Sequence, residues 1–142
     1  MITAILVRHA DRDDGDAPLN DKGRARAVAL ARIVGLARVG HIFTSTAPRT
    51  AQTAEPLARL LDLTPKAIDA GTDLAAAVRA LSNNDVALIV GHSNTVPEAI
   101  AALGVPSPSP TIGDHDFDNL FIVTIGLTGP PALVQLRYGE VD

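Results

Sequence analysis

Cysteine is absent from the 142-residue chain, and this absence removes several kinds of chemistry at once. Without thiols, the protein has no disulfides, no thiolate metal site and no cysteine nucleophile. An excess of basic residues is also missing, because the formal net charge is −4. A general nucleic-acid-binding surface needs a positively charged stripe. We therefore expect no nucleic-acid partner.

Long hydrophobic runs are missing as well. The longest apolar runs have the length of a strand, far below the about 20 residues that a membrane helix needs, so no membrane partner is expected. The first strand candidate begins at residue 2, with no secretory signal before it, which makes a cytoplasmic location the default expectation. With 46% hydrophobic and 20% charged residues, the chain is typical of one globular domain spanning residues 1–142.

Short β-branched runs alternate with alanine-rich stretches along the chain. The runs predict strands over residues 2–7, 41–44, 64–68, 86–90, 120–125 and 132–138. The alanine-rich stretches predict helices over residues 21–34, from 46–48 onward, over 73–81 and over 94–103. This alternation favours a three-layer α/β/α sandwich with a mostly parallel sheet, and the last two strands predict an antiparallel hairpin at one edge.

Some local features carry their own expectations. Thr46 is placed to cap the second helix, and Pro56 should kink or split it. Residues 104–118 contain three prolines and an acidic stretch, which predicts a long irregular loop of functional type. The first helix should bury one apolar face, formed by Ala25, Val28, Ala29 and Ile33.

Polar residues follow three of the predicted strands. Arg8 and His9 end the first strand, residues 45–49 (STAPR) follow the second, and residues 91–94 (GHSN) follow the strand over 86–90. In an open parallel sheet, ligands bind outside the carboxyl ends of the strands. Two arginines and two histidines therefore converge on one edge.

This set of side chains suits phosphoryl transfer. A phosphoryl group presents three oxygens, and the planar fork of an arginine binds two of them at once. A neutral imidazole nitrogen is a competent nucleophile toward phosphorus. A second, protonated histidine adds charge, and backbone N–H groups near Ser93 would add further donors.

The motifs resemble those of the histidine phosphatase superfamily, which includes cofactor-dependent phosphoglycerate mutase. The Arg-His-Gly motif of the family appears as residues 8–10 (RHA), and its second arginine lies in a segment like residues 45–54 (STAPRTAQTA). Its second histidine follows a strand, as in residues 90–93 (VGHS), and residues 18–23 (PLNDKG) are similar to a family helix start. The resemblance covers nearly the whole chain and implies a phosphoglycerate mutase-like fold.

The resemblance also implies roles. His9 would be the nucleophile that becomes phosphohistidine, and Arg8, Arg49 and His92 would form the phosphate pocket, with Ser93 as a further phosphate-binding residue. Neither a metal nor a cofactor would be required. The substrate would be a small phosphorylated metabolite or a phosphoprotein.

The chain departs from the family pattern at two points. Ala10 replaces the usual glycine, although alanine is small enough to let the backbone approach a phosphate. Many members carry a glutamate that protonates the leaving oxygen, and the only glutamate in that interval, Glu55, follows Arg49 too closely. Of Asp69 and Asp73 we favour Asp73 as the acid, with helix capping as its alternative role. The small phosphohistidine phosphatases of the superfamily lack that acid, and their imidazole leaving group departs readily.

Other polar residues have simpler interpretations. His41 precedes its strand and should lie at the wrong end of the sheet, and His115 is either a solvated loop residue or a substrate contact. The acidic run over residues 11–16 (DRDDGD) fails the calcium-loop pattern, although Asp11 and Arg12 lie close enough to His9 to influence substrate choice.

The predicted function is a metal-independent phosphatase that acts on phosphomonoesters or protein phosphohistidine through a phosphohistidine at His9. A phosphoglycerate mutase-type transfer is the first alternative, although no cap insertion separates the second arginine from the second histidine. A non-catalytic domain that binds phosphorylated ligands is the second. A nucleotide-binding domain is disfavoured, because no glycine loop follows a strand. The sequence gives no signal for the oligomeric state.

Overall fold

The computed structural model describes residues 1–140, so the last two residues of the predicted domain, 141 and 142, lie outside the described part. Six strands form one sheet in the order β3-β2-β4-β1-β5-β6. The strands are β1 (Ile2–Arg8), β2 (His41–Thr44), β3 (Lys66–Ala67), β4 (Val86–Gly91), β5 (Asn119–Ile125) and β6 (Ala132–Arg137). The helices are α1 (Asp21–Val34), α2 (Pro48–Leu61), α3 (Gly71–Arg79) and α4 (Thr95–Ala102).

Strand β1 lies inside the sheet and joins its two halves. It pairs in parallel with β4, which continues in parallel through β2 to β3. On its other side β1 pairs antiparallel with β5, and β5 pairs antiparallel with β6. The prediction of a mostly parallel sheet with an antiparallel hairpin at one edge is therefore confirmed.

The two faces of the sheet are covered by different helices. Ile5 and Val7 of β1 pack with α1 and α2 in one buried cluster. Ala4 and Leu6 of the same strand pack with α3 and α4 in the other. Successive side chains of a strand point to opposite faces, so a strand covered on both sides is apolar on both, as β1 is over residues 4–7 and β4 is throughout. The three-layer α/β/α arrangement follows from these two clusters.

Helix α1 has the predicted bounds but not the predicted buried face. Its N-cap Asn20 accepts a hydrogen bond from the backbone N–H of Gly23 at 2.9 Å. A Cβ at Gly23 would lie 2.0 Å from the carbonyl oxygen of Asp11, so only glycine fits this close approach. Val28 and Ile33, predicted to face the core, are each 54% exposed. The buried side of the helix carries Gly23, Arg26, Ala27, Leu30, Ala31 and Val34 instead.

Three further local predictions need correction. Thr46 does not cap α2: the N-cap is Ala47, and the Thr46 hydroxyl bonds to Asp69 instead. Pro56 does not split α2, which runs from Pro48 to Leu61. The weak strand predicted over 64–68 contains only Lys66 and Ala67. None of the helices described within residues 1–140 is long and apolar enough to cross a membrane.

Candidate active site

The carboxyl ends of β1, β2 and β4 meet at one edge of the sheet. The register places Arg8 beside Gly91 and Thr44 beside Val90. The residues that come next, His9, Ser45 and His92, therefore leave the sheet side by side. This juxtaposition is the one that the sequence predicted from three separate strand ends.

His9 lies at the base of this edge and is 1% exposed. Its Nδ1 lies 2.9 Å from the carbonyl oxygen of Ala10, and a carbonyl only accepts, so in the neutral ring Nδ1 carries the proton. The lone pair is then on Nε2. Burial lowers the pKa of His9 to about 4, with further lowering by the positive charges of Arg8 and Arg49. At neutral pH this imidazole is uncharged.

His92 lies next to His9, with the two ring centroids 5.4 Å apart. Its Nε2 is 2.8 Å from the hydroxyl oxygen of Ser45, and its backbone N–H donates to the hydroxyl of Thr95. Burial lowers the pKa of His92, and the charges of Arg49 and Arg8 lower it further. The ring is thus favoured in its neutral form until an anion arrives.

The Arg8 guanidinium is held by the loop that precedes β5. One of its amino groups, Nη1, donates to the carbonyl oxygens of Gly113, Asp114 and Asp116 at 2.9–3.1 Å. The Phe117 ring stacks under it, with the guanidinium carbon 4.2 Å from the ring centroid. Phe117 also touches His9, at 5.9 Å between ring centroids. The predicted irregular loop is therefore part of the site.

Arg49 is placed by the first turn of α2, and a threonine ties that turn to the loop between β1 and α1 (residues 9–20, here called the His9 loop). The buried Thr53 hydroxyl donates to the carbonyl oxygen of Arg49 and accepts the N–H of Ala10, both at 2.8 Å. An Arg49 amino nitrogen lies 3.6 Å from a carboxylate oxygen of Asp16. The segment over residues 45–54 therefore positions both a cation and the backbone beside His9.

Three buried guanidinium N–H groups in this region have no hydrogen-bond partner in the described structure. They are the Nε atoms of Arg8, Arg12 and Arg49. Arg12 is near enough to Arg8 that its charge lowers the pKa of Arg8, second only to burial. A buried donor without an acceptor costs about 1–3 kcal/mol, and the charges of all three arginines act on His92. The group indicates a place for an anion.

Two cavities flank His9. The first, here called the Arg49 cavity, has a volume of about 530 Å³ and is lined by Asp16, Ser45, Thr46, Ala47, Pro48, Arg49, Asp69 and His92. The second, the Arg8 cavity, has a volume of about 400 Å³ and is lined by Arg8, Arg12, Asp14, Gly15, Ser93, Asp114, His115 and Phe117. The His9 ring contacts His92 of the first and Phe117 of the second.

The structure thus brings together Arg8, His9, Arg49 and His92, and it places Ser93 on the wall of the Arg8 cavity. Helix α4 begins at Thr95, two residues after Ser93. The roles given to these residues stay predictions.

The structure does not bring Asp73 to this site. It lies exposed in the first turn of α3 and lines neither cavity. Asp69 lines the Arg49 cavity instead, where it accepts hydrogen bonds from the Thr46 N–H and hydroxyl at 2.7 and 3.0 Å. Those two bonds hold the pKa of Asp69 below its usual value. Glu55 lies on α2 and pairs with Arg59.

The remaining histidines and Ala10 are easily placed. His41 lies 3.3 Å from Asp85 at the amino end of β2, away from the site, whereas His115 lines the Arg8 cavity. The Ala10 side chain is fully buried in a small cluster with Leu19 and Ala27. The methyl group that distinguishes Ala10 from the family glycine therefore packs into the protein interior.

Sequence reasoning assigned no role to Ser45, Thr53 or Phe117, although all three contact predicted site residues. Ser45 and Thr53 lie inside the family-like segment over residues 45–54, and that position was the one sequence signal that pointed to them. Phe117 gave none, since a lone aromatic in an irregular loop has no periodicity to interpret.

Comparison with known proteins places this geometry in a family. The model of the histidine phosphatase superfamily (branch 1) matches residues 4–75. The protein histidine phosphatase SixA, solved with tungstate, is 19% identical with a TM-score of 0.75, over 95% of this chain and 96% of that one.

Two other solved structures share the fold. Phosphoserine phosphatase from Entamoeba histolytica is 15% identical with a TM-score of 0.74, over 100% of this chain and 98% of that one. A mycobacterial glucosyl-3-phosphoglycerate phosphatase is 15% identical with a TM-score of 0.68, over 96% and 97%. No curated protein sequence matches the chain. The family match spans half of the chain, and the chain belongs to the histidine phosphatase superfamily, branch 1.

Proposed function

We propose that this protein is a metal-independent phosphatase that works through a phosphohistidine at His9, on substrates whose leaving group departs without a proton donor. Family membership supports a phosphatase broadly. The observation that carries the finer proposal is the Nδ1 contact of His9 with Ala10, which leaves Nε2 as an unprotonated nucleophile.

The first step is attack of Nε2 of His9 on phosphorus. The N–P bond forms while the bond to the leaving group breaks, and the leaving group takes the electron pair. Water then attacks phosphorus, the N–P bond breaks, and the proton of the water leaves with inorganic phosphate. The depressed pKa of His9 serves both steps, because a weakly basic imidazole is also a good leaving group.

The three unpartnered guanidinium N–H groups of Arg8, Arg12 and Arg49 supply the charge for the phosphoryl oxygens. Arg8 is already fixed by three backbone carbonyls, so part of the entropic cost of ordering it is met before substrate binds. His92 would take up a proton as the dianion enters. Ser93 would contact a substrate that extends into the Arg8 cavity.

The leaving-group side decides the substrate class. Asp73 is outside both cavities, and Asp69 is held ionised by its two hydrogen bonds to Thr46. A carboxylate that stays ionised at neutral pH cannot protonate an alkoxide. The imidazole of phosphohistidine leaves as a neutral ring when its other nitrogen already carries a proton, and an aryl oxide is a weak base, so neither needs such a donor. A phosphohistidine-bearing protein or an aryl-type phosphomonoester is therefore the proposed substrate, with alkyl phosphates disfavoured.

The test is hydrolysis of a chromogenic aryl phosphate in the presence of a chelator. His9→Ala should lose at least a thousandfold in kcat, while His41→Ala, a histidine at the opposite end of β2, should keep wild-type activity. Incubation with radiolabelled aryl phosphate, quenched rapidly, should label the protein with phosphate that is stable to base and labile to acid. Equal slow turnover by wild type and His9→Ala would refute the proposal.

The same assay separates the two alternatives. A mutase would return the label to an added sugar phosphate or phosphoglycerate instead of releasing inorganic phosphate. A non-catalytic binding domain would bind the phosphate ester without becoming labelled.

A further inference from the structure

Ser45 lies next to His92 at the edge of the sheet that carries the candidate site. The reaction described above gives it no role. Ser45 follows β2, is 7% exposed and contacts Nε2 of His92 at 2.8 Å. Behind it stands Thr50 of α2, which is fully buried and 3.0 Å away, hydroxyl oxygen to hydroxyl oxygen. Ser45, Thr50 and His92 form a short chain that leads from α2 to the site.

The number of protons in this chain fixes the tautomer of His92. The Thr50 hydroxyl oxygen lies 2.8 Å from the carbonyl oxygen of Ala47 and 3.1 Å from that of Ser45, so its one proton is shared between two acceptors. The Ser45 hydroxyl accepts the N–H of Ala47. Three protons are therefore needed: one from Thr50 to the two carbonyls, one between Ser45 and Thr50, and one between Ser45 and His92. The two hydroxyls supply two protons. The third must come from Nε2 of His92.

The count also excludes the opposite arrangement. If Ser45 donated to His92, then either the Ser45–Thr50 contact or the contacts of Thr50 with the two carbonyls would join oxygens with no proton between them. The Ser45–Thr50 contact and the contact of Thr50 with the Ser45 carbonyl are buried, and the contact with the Ala47 carbonyl is part-buried, so such repulsion is poorly screened. With Nε2 as donor, each hydroxyl donates one proton and accepts the N–H groups beside it, including that of Ser45 to Thr50 at 3.1 Å.

We propose that Ser45 is a positioning residue that holds the Nε2 proton of His92 and so makes this histidine a charged donor to the phosphoryl group. With Nε2 occupied by Ser45, substrate contact falls to Nδ1, which takes up a proton when a phosphate dianion binds. Both N–H groups of the imidazolium then have acceptors, one in the protein and one on the substrate. The catalytic part of this inference rests on the proposed function, whereas the tautomer does not.

The charges around His92 set the direction of its pH response. Arginines from β1, the following loop and α2 oppose its protonation, and one aspartate favours it; the groups that face it are Arg8, Arg12, Arg49, Asp69 and His9. The Ser45 hydroxyl is a neutral acceptor that stabilises the protonated ring against this positive field. Removal of the hydroxyl should therefore lower the pKa of His92 and shift the alkaline limb of the pH profile to lower pH.

The first experiment needs no substrate. Long-range ¹⁵N–¹H NMR spectra of the free protein should show His92 as the Nε2–H tautomer in wild type and as a mixture in Ser45→Ala. Thr50→Val removes the acceptor of the Ser45 proton while Ser45 remains, so it should release the tautomer too. Retention of a pure Nε2–H ring in both variants, or an Nδ1–H ring in wild type, would overturn the inference.

The second experiment measures aryl phosphate hydrolysis in a double-mutant cycle. Ser45→Ala should lower kcat/KM by about tenfold in the wild-type background, the loss expected for one hydrogen bond to a charged group. In a His92→Asn background the same change should have no further effect. An undiminished tenfold loss there would show that Ser45 acts on the fold and not through His92. If wild type is inactive, the proposed function fails while the NMR result still decides the tautomer.

Discussion

Thr53 connects the His9 loop to α2. Its hydroxyl can be replaced by a methyl group of similar size. Thr53→Val keeps the β-branched shape and creates no cavity at this fully buried position. It removes the acceptor that the Thr53 hydroxyl provides for the N–H of Ala10, and it removes the bond to the Arg49 carbonyl. The Arg49 carbonyl belongs to the first turn of α2 and keeps its place in the helix, so most of the cost falls on Ala10.

The magnitude follows from that one buried donor. A buried N–H that loses its partner costs about 1–3 kcal/mol, and we expect the free energy of unfolding to fall by about 2 kcal/mol. At a urea m-value of about 2 kcal/mol/M, the midpoint should move down by about 1 M. The Ala10 carbonyl that orients His9 belongs to the same residue, so a looser Ala10 should also lower kcat/KM for an aryl phosphate by about tenfold.

Urea unfolding followed by circular dichroism measures the first effect and steady-state hydrolysis the second. The matched control is Thr72→Val, an exposed threonine in α3, which should change the unfolding free energy by less than about 0.5 kcal/mol. If Thr53→Val were as stable as that control, the link between the His9 loop and α2 would contribute nothing to the free energy of unfolding, and the reasoning would be refuted.

Three other predictions can be checked with the same methods. Because the pKa of His9 is lowered to about 4, its neutral form persists in mild acid; kcat/KM should not fall between pH 7 and pH 5 once substrate ionisation is corrected for, whereas an acid limb with its midpoint near 6.5 would contradict this assignment. Asp11→Ala should lower the unfolding free energy by about 3 kcal/mol in urea, because it breaks the buried ion pair between Asp11 and Arg26; a loss below about 1 kcal/mol would mean that the pair contributes little. Asp73→Asn should keep aryl phosphate turnover within twofold of wild type, and a loss of more than tenfold would identify Asp73 as the acid after all.

The sequence allowed much of the fold to be predicted because strands and helices differ strongly in composition. Strands β1 and β4 are apolar on both faces, and their polar successors mark the edge of the sheet where a ligand binds. The buried face of α1 could not be predicted, since an alanine-rich helix has little contrast between its sides. Arg26 is buried there in an ion pair with Asp11, which lies fifteen residues earlier and gives no local pattern.

The candidate site likewise contains residues that the sequence could predict and residues that it could not. Arg8, His9, Arg49 and His92 were predictable because each ends a strand, directly follows one, or lies in the first turn of a helix. The choice between Asp69 and Asp73 was not, because it depends on a two-residue strand and the path of the chain after it. Hydrogen bonds that cross between elements, such as those of Ser45 and Thr53, are tertiary facts with no local pattern.

The antiparallel pairing of β5 with β1 brings the end of β1 beside the beginning of β5, so the loop over residues 104–118 enters the sheet at the edge that carries the candidate site. All of its hydrogen bonds to Arg8 come from main-chain oxygens, and the Phe117 ring adds a stacking contact. Every residue type has such an oxygen, so the side chains at these positions are released from the task of holding the arginine. Substitutions at these positions can then change the surface of the loop to suit a different phosphorylated partner. The hydrogen bonds to Arg8 remain, provided that the path of the loop backbone is kept. The position of Arg8 and the surface that a partner would contact can therefore evolve independently within one small domain.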